Sequence, residues 1–182
     1  MSGLGVFGGQ FDPPHNGHLE VLRAARRQLG LRQILVIPDR NPTHRAPSVQ
    51  PAEVRLRLAE AAFRDEPGVV VCPPDTGSEP EYTVHVLVRL AGDEPLWLII
   101  GADQYASFES WHQPGRIREL ARIVVAPRPG FPVSDPRVTV LDMPPVDMSS
   151  TDLRETLERG QDASDRIPAG AWQLIRRERL YA

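Results

Sequence analysis

This 182-residue chain predicts an α/β fold, a doubly wound parallel sheet, on three observations. Short apolar runs alternate with stretches of helical periodicity along the chain. Runs such as Leu96-Trp97-Leu98-Ile99-Ile100 are apolar without alternation, as expected of strands covered on both faces. A glycine pair, Gly8-Gly9, stands between the first apolar run and the first helical stretch, at the strand end where such sheets bind ligands.

The elements follow in order. A first strand is expected over residues 4–7. A helix follows near 17–29, carrying Leu19, Leu22, Ala25 and Leu29 on its apolar face. A second strand, 33–37, precedes a helix near 51–64. Short strands at 69–71 and 96–100 bracket a helix near 83–90. Beyond them come a helix near 116–121, strands at 123–126 and 138–141, and helices near 150–159 and 169–178. Pro-rich stretches at 38–51, 73–80 and 127–136 are candidate lids or binding loops. There is no internal repeat and no low-complexity segment, so a single domain over 1–182 is the expectation.

Composition narrows the function classes. Hydrophobic content of 41% and charged content of 25% suit a soluble globular chain. A net charge of -3 gives no global attraction to nucleic acid or to an anionic membrane. No apolar run is long enough to span a bilayer, and the start of the chain has no signal-peptide pattern, so a cytoplasmic location is expected. Cys72 is the only cysteine, which excludes an intramolecular disulfide. All 21 basic residues are arginine. This excludes a lysine nucleophile, a Schiff base and a phosphate loop built on lysine, and it leaves basic phosphate contacts to arginine and histidine.

The run from Gly8 to His18, GGQFDPPHNGH, carries the most chemistry. Gly8 and Gly9 let a phosphate or sugar approach the backbone. Pro13 and Pro14 stiffen the loop and suit helix entry. His15 and His18, three residues apart, share one face of a first helical turn, where unpaired N–H groups and the positive dipole end favour an anion. Zinc ligation by the pair finds no third ligand at the usual spacing. The whole run describes a phosphate-chain site.

This run, read as Gly9-Gln10-Phe11-Asp12-Pro13 followed by His15-Asn16-Gly17-His18, resembles the signature of the HxGH nucleotidyltransferases, with Gln10 where Ser or Thr is common. Those enzymes transfer a nucleotidyl group from ATP or CTP onto a phosphate, on a Rossmann-like fold. Four further segments fit. In the loop after the second strand, His44 and Arg45 are placed to hold a triphosphate, resembling the PxHR loop of the nicotinate-nucleotide adenylyltransferases. Gly101-Ala102-Asp103 offers a carboxylate to sugar hydroxyls or a helix cap, and resembles the family's GxD. Trp111 can stack on an aromatic ring and matches the tryptophan that stacks on nicotinate in the family; His112 stands where some members have Tyr. Ser149, Ser150 and Thr151, with Arg154 one turn on, cap a helix and form a second phosphate site, resembling the family's ISSTxIR with Met148 and Leu153 as apolar replacements.

The segment Tyr82-Thr83-Val84-His85 resembles the SYTxxTL segment of bacterial nicotinate-nucleotide adenylyltransferases, with Glu81 in place of Ser and Val86 in place of Thr. A helix start at Tyr82–Thr83 would receive a carboxylate better than an amide. Glu81 is expected to point to solvent. Arg128-Pro129-Gly130-Phe131 resembles RPGY, and the likeness runs from about residue 5 to 181.

The resemblance implies adenylyl transfer from ATP to nicotinate mononucleotide, giving deamido-NAD and pyrophosphate. It implies His15, His18 and Arg45 as catalytic groups. Gly8, Gly9, Phe11, His44, Asp103, Arg128, Ser149, Ser150, Thr151 and Arg154 would bind ATP. Tyr82, Thr83, Trp111 and His112 would bind the mononucleotide. Mg²⁺ would enter with ATP, with few protein ligands. No nucleic-acid or membrane partner is expected, and no oligomer is predicted. Two alternatives remain: an enzyme for nicotinamide mononucleotide or for both mononucleotides, and a non-catalytic nucleotide sensor. The sensor should have lost the histidines or the hydroxyls, and all are present.

Overall fold

The computed structural model describes residues 3–39, 48–73 and 82–182. Six strands form one sheet: β1 (Leu4–Gly9), β2 (Gln33–Pro38), β3 (Val69–Val71), β4 (Leu96–Gly101), β5 (Ala121–Ala126) and β6 (Thr139–Val140), in the order β3-β2-β1-β4-β5-β6. Every neighbouring pair is parallel. The helices are α1 (Asn16–Leu29), α2 (Ala52–Phe63), α3 (Thr83–Leu90), α4 (Ala102–Ala106), α5 (Pro114–Leu120), α6 (Ser150–Glu158) and α7 (Ala169–Glu178).

Successive strand residues point to opposite faces, so each central strand feeds two cores. Phe7, Ile34, Val36, Ile99 and Val124 pack with Val21 and Leu22 of α1, Leu58 and Phe63 of α2, Leu153 of α6 and Ile175 of α7. Val6, Leu98, Ile100, Ile123 and Val125 pack with Val84 and Leu87 of α3 and Ile117 of α5. Ile34, Leu58, Leu87 and Ile99 are wholly buried; each such side chain contributes about 1.5–3 kcal/mol relative to exposure. The unbroken apolar strands in the sequence are the consequence of this two-sided cover.

The doubly wound parallel sheet is as the sequence predicts; several boundaries move. β1 runs on through Gly8 and Gly9, which pair with Ile37 and Pro38. The helix expected to reach residue 121 ends at Leu120, because Ala121 is extended (φ -142°, ψ 145°) and pairs with Leu96 at the start of β5. α4 and a 3-10 turn, Phe108–Ser110, lie where helical periodicity predicts no helix, although Asp103 offers a helix cap there; five and three residues are too few to show a period. β6 keeps only Thr139 and Val140, both exposed at the sheet edge.

The strand order reverses between β1 and β4, whose carboxyl ends, Gly9 and Gly101, open a crevice. In an open α/β sheet this switch point is where ligands bind.

Candidate active site

A cavity of about 380 Å³ fills that crevice, lined from three directions. The end of β1 and its loop supply Gly8, Gly9, Gln10, Phe11, His15 and His18. The end of β4 supplies Gly101, Asp103 and Gln104. The stretch from β5 to α6 supplies Arg128, Met148, Ser149, Ser150, Thr151 and Arg154.

His15 is the N-cap of α1, in extended backbone, and His18 is the third residue of its first turn. Their rings stack at 3.6 Å between centroids, 20° from parallel. The His15 backbone N–H donates to His18 Nδ1 at 3.0 Å. With Nδ1 accepting, a neutral His18 carries its proton on Nε2. His15 is 5% exposed, and its Nδ1 has no hydrogen-bond partner among the described residues. Burial, with Arg128 nearby as the lesser cause, pushes its pKa down to about 4. His15 is therefore neutral at pH 7.

Phe11 lines the cavity, but its side chain is buried and meets His18 edge-on at 5.0 Å, with Phe63 behind it at 5.7 Å. Its place is beneath the histidine ring, as a brace. Gly8 lines the cavity, and a Cβ there would fit without a clash, in ordinary contact with Asp39 Oδ1 at 3.8 Å. Neither Gly8 nor Gly9 has a positive φ, so room for a ligand is the reason the structure offers for glycine at position 8.

The other helix start faces the first. Ser149 caps α6: its Oγ accepts from the Asp152 N–H at 3.1 Å, and its hydroxyl donates to Asp152 Oδ2 at 2.7 Å. Ser150 Oγ donates to the Pro13 carbonyl at 2.9 Å, which fastens α6 to the β1–α1 loop. Arg154 Nη1 donates to the Asp12 carbonyl at 2.7 Å, and Nη2 to Thr151 Oγ1 at 3.2 Å. Two anion-favouring helix starts, 134 residues apart in sequence (150 minus 16), thus share one cavity.

On the third side Asp103 and Arg128 form an ion pair at 3.2 Å, both partly exposed to the cavity. The α4 cap that the sequence offered to Asp103 falls instead on Gly101, whose N–H donates to Gln104 Oε1 at 3.1 Å. Arg128 opens a tight turn in which Gly130 has φ 80° and the Phe131 N–H donates to the Arg128 carbonyl at 3.2 Å. The loop beyond is held by Tyr105, whose hydroxyl donates to Asp135 at 2.5 Å. Hydrogen bonds from Arg137 and Tyr105 hold the Asp135 carboxyl well below the usual carboxylate range.

The expected mononucleotide residues lie outside the cavity's lining, in a separate group. Tyr82 caps α3 and stacks on His112 at 4.3 Å, with His85 edge-on at 5.6 and 5.9 Å to the two rings. Thr83 begins α3, and Trp111 packs beside Phe108 at 5.3 Å. His44, Arg45 and Glu81 lie outside the described residues.

Sequence reasoning passed over what lies under the site. Asp12, Arg55 and Tyr181 are buried there. Tyr181 O–H donates to Asp12 Oδ1 at 2.6 Å, and burial pushes the phenol far above its ordinary pKa, so it stays a donor. Gln104 was also missed, although Gly101 with Gln104 three residues on carries the spacing of a capping box.

Comparison with known proteins shows the family and the fold. A family model described as cytidylyltransferase-like matches residues 6–156. A protein of Laribacter hongkongensis named "probable nicotinate-nucleotide adenylyltransferase" is 34% identical, covering 98% of this chain and 94% of its own. One of Roseiflexus sp. with the same name is 36% identical, covering 98% and 97%. Among solved structures, the Plasmodium falciparum nicotinic acid mononucleotide adenylyltransferase complexed with NaAD superposes with a TM-score of 0.83 at 17% identity, covering 100% and 98%. At that identity the likeness is one of fold.

Proposed function

The chain belongs to the cytidylyltransferase-like family and, within it, to the nicotinate-nucleotide adenylyltransferases, and from that premise we propose that its crevice joins MgATP and nicotinate mononucleotide. The products are deamido-NAD and pyrophosphate. The observation that carries this reading is the convergence of His15, His18, both helix starts and Arg154 on one cavity at the switch point.

An oxygen of the mononucleotide 5′-phosphate attacks the α-phosphorus of ATP in line. The bond from that phosphorus to the bridging oxygen breaks, and pyrophosphate leaves with the electron pair. The nucleophile is already an anion, so no covalent enzyme intermediate is needed. The protein's task is positioning and charge stabilisation. Neutral His15 and Nε2-protonated His18 contact the transferring group as hydrogen-bond partners. Positive charge for the β- and γ-phosphates comes from Arg154 and Arg128, and the family resemblance assigns Arg45 and His44 to the same triphosphate. Ser149, Ser150 and Thr151 present the first turn of α6 to the same oxygens, Gly8 leaves room for the chain, and Gly9 leaves room for the Phe11 ring under it. Asp103 receives the ribose hydroxyls. Tyr82, Thr83, Trp111 and His112 take the pyridine ring.

Mg²⁺ is part of the ATP substrate in this scheme. Nearby carboxylates are engaged, Asp12 by N–H and O–H donors, Asp152 by Ser149 and Asp103 by Arg128. Among the described residues no group of three or more His, Cys, Asp or Glu could hold a metal. That donor set suits an ion carried by phosphate oxygens and water. No helix among the described residues is long and apolar enough to cross a membrane, and the proposed setting is the cytoplasm. A single unit over 1–182 is proposed to carry the reaction without a nucleic-acid partner.

The test incubates the purified protein with MgATP and either nicotinate or nicotinamide mononucleotide, following dinucleotide and pyrophosphate. A strong preference for the nicotinate form is expected. Preference for the amide would keep the chemistry and overturn the carboxylate reading of the Tyr82–Thr83 turn. Nucleotide binding with no turnover on either substrate would make the chain a sensor.

A further inference from the structure

We propose that Asp12, Arg55 and Tyr181 are positioning residues for ATP, acting through Arg154 by locking the loop between β1 and α1 from beneath. The proposal rests on the reading of the cavity as an ATP site. The loop cannot lock itself: Pro13 and Pro14 have no N–H, so its backbone has few donors to spend on its own carbonyls. Side chains from elsewhere hold those carbonyls instead. Arg55 Nη1 from α2 donates to the Gln10 carbonyl at 2.8 Å, Arg154 Nη1 to Asp12 at 2.7 Å, and Ser150 Oγ to Pro13 at 2.9 Å.

Asp12 is the hub. Its backbone oxygen holds Arg154, and its carboxylate, 1% exposed, is itself held on both oxygens. Oδ1 accepts from Tyr181 O–H at 2.6 Å and Oδ2 from the Val49 N–H at 2.7 Å. Arg55 closes the ring: it is 1% exposed, and Nε donates to the Gln50 carbonyl at 3.1 Å. Burying two charged side chains is costly against an apolar core of the same shape, so bulk stability is a poor reason for them. What the assembly fixes is the Asp12 carbonyl. That carbonyl and Thr151 engage two of the five N–H groups of Arg154 and so fix the guanidinium of a side chain that lines the cavity.

Tyr181→Phe deletes one hydroxyl and keeps the ring. Its KM for MgATP should rise about three- to tenfold, with KM for the mononucleotide within about twofold of the parent, because only the Arg154 side of the site is loosened. Calorimetric binding of a non-hydrolysable ATP analogue should weaken by the same factor. In an Arg154→Ala background, Tyr181→Phe should add almost nothing, since the intermediary is gone. Arg55→Lys is the second variant, read the same way, should Tyr181→Phe fold poorly. Unchanged ATP affinity in folded variants, an equal rise in both KM values, or full additivity with Arg154→Ala overturns the proposal. If the parent binds the analogue but adenylates neither mononucleotide, the acceptor reading fails and positioning is still decided by binding. A parent that does not bind the analogue overturns both.

Discussion

His15 and His18 are alike in sequence and unlike in place. His18 lines the cavity, braced by Phe11, and its Nδ1 accepts from the backbone, so a neutral ring carries its proton on Nε2. His18→Ala should lower kcat at least about a hundredfold, the scale of losing a preorganised donor. Circular dichroism should be unchanged, and near-normal turnover would remove the phosphate role. His15 is the buried neutral partner. Its pKa falls from 6.5 to about 4 on folding, so the unfolded chain takes up the proton first as pH falls. Its contribution is complete above about pH 6.5 and is lost as pH falls toward 4, by at most about 3 kcal/mol. Urea unfolding at pH 7 and pH 4.5 should show this loss in the parent and a smaller one in His15→Asn. Equal losses in both would assign the acid sensitivity elsewhere. The spacing of the two histidines was legible in the sequence; the burial of His15 was not, because tertiary packing sets it, and the Arg128 charge that adds to its lowered pKa comes from more than a hundred residues away.

At the scale of elements, the site is two helix starts brought nose to nose. Ser149→Ala removes the α6 cap and should cost about 1 kcal/mol in denaturant unfolding. Gly17 is tighter: a Cβ there would lie 2.4 Å from Val146 Cγ1, a short and stiff neighbour. Gly17→Ala should therefore destabilise by about 1–3 kcal/mol and weaken ATP binding by tilting the turn that carries His18. Wild-type stability in that variant would show that the 146 segment yields freely. Long elements with a clear apolar period, α1 and α6 among them, could be read directly from the chain. α4, the 3-10 turn and the two-residue β6 could not, because hydrogen bonding to neighbours, and no local pattern, defines them.

At the scale of the molecule, α7 packs on α2 closely enough that a Cβ at Gly170 would sit 2.2 Å from the Ala61 carbonyl oxygen. Gly170→Ala should destabilise by about 1–3 kcal/mol and lower Tm. Because α7 leads to Tyr181, ATP binding should weaken with it; a lowered Tm with unchanged ATP affinity would separate the packing from the site. The sequence by itself determined the layered sheet, the order of its longer helices, the histidine turn, the hydroxyl-capped helix and the family, since periodicity and short motifs are local properties of the chain. Only the tertiary structure decided that those two motifs share one cavity, that Asp103 pairs with Arg128, that Phe11 is a brace, and that Asp12, Arg55 and Tyr181 meet beneath the loop. The contact between residues 12 and 181 depends on how the chain is wound about the sheet, whose strand order reverses between β1 and β4, and on how α7 packs on α2, and no local pattern encodes either.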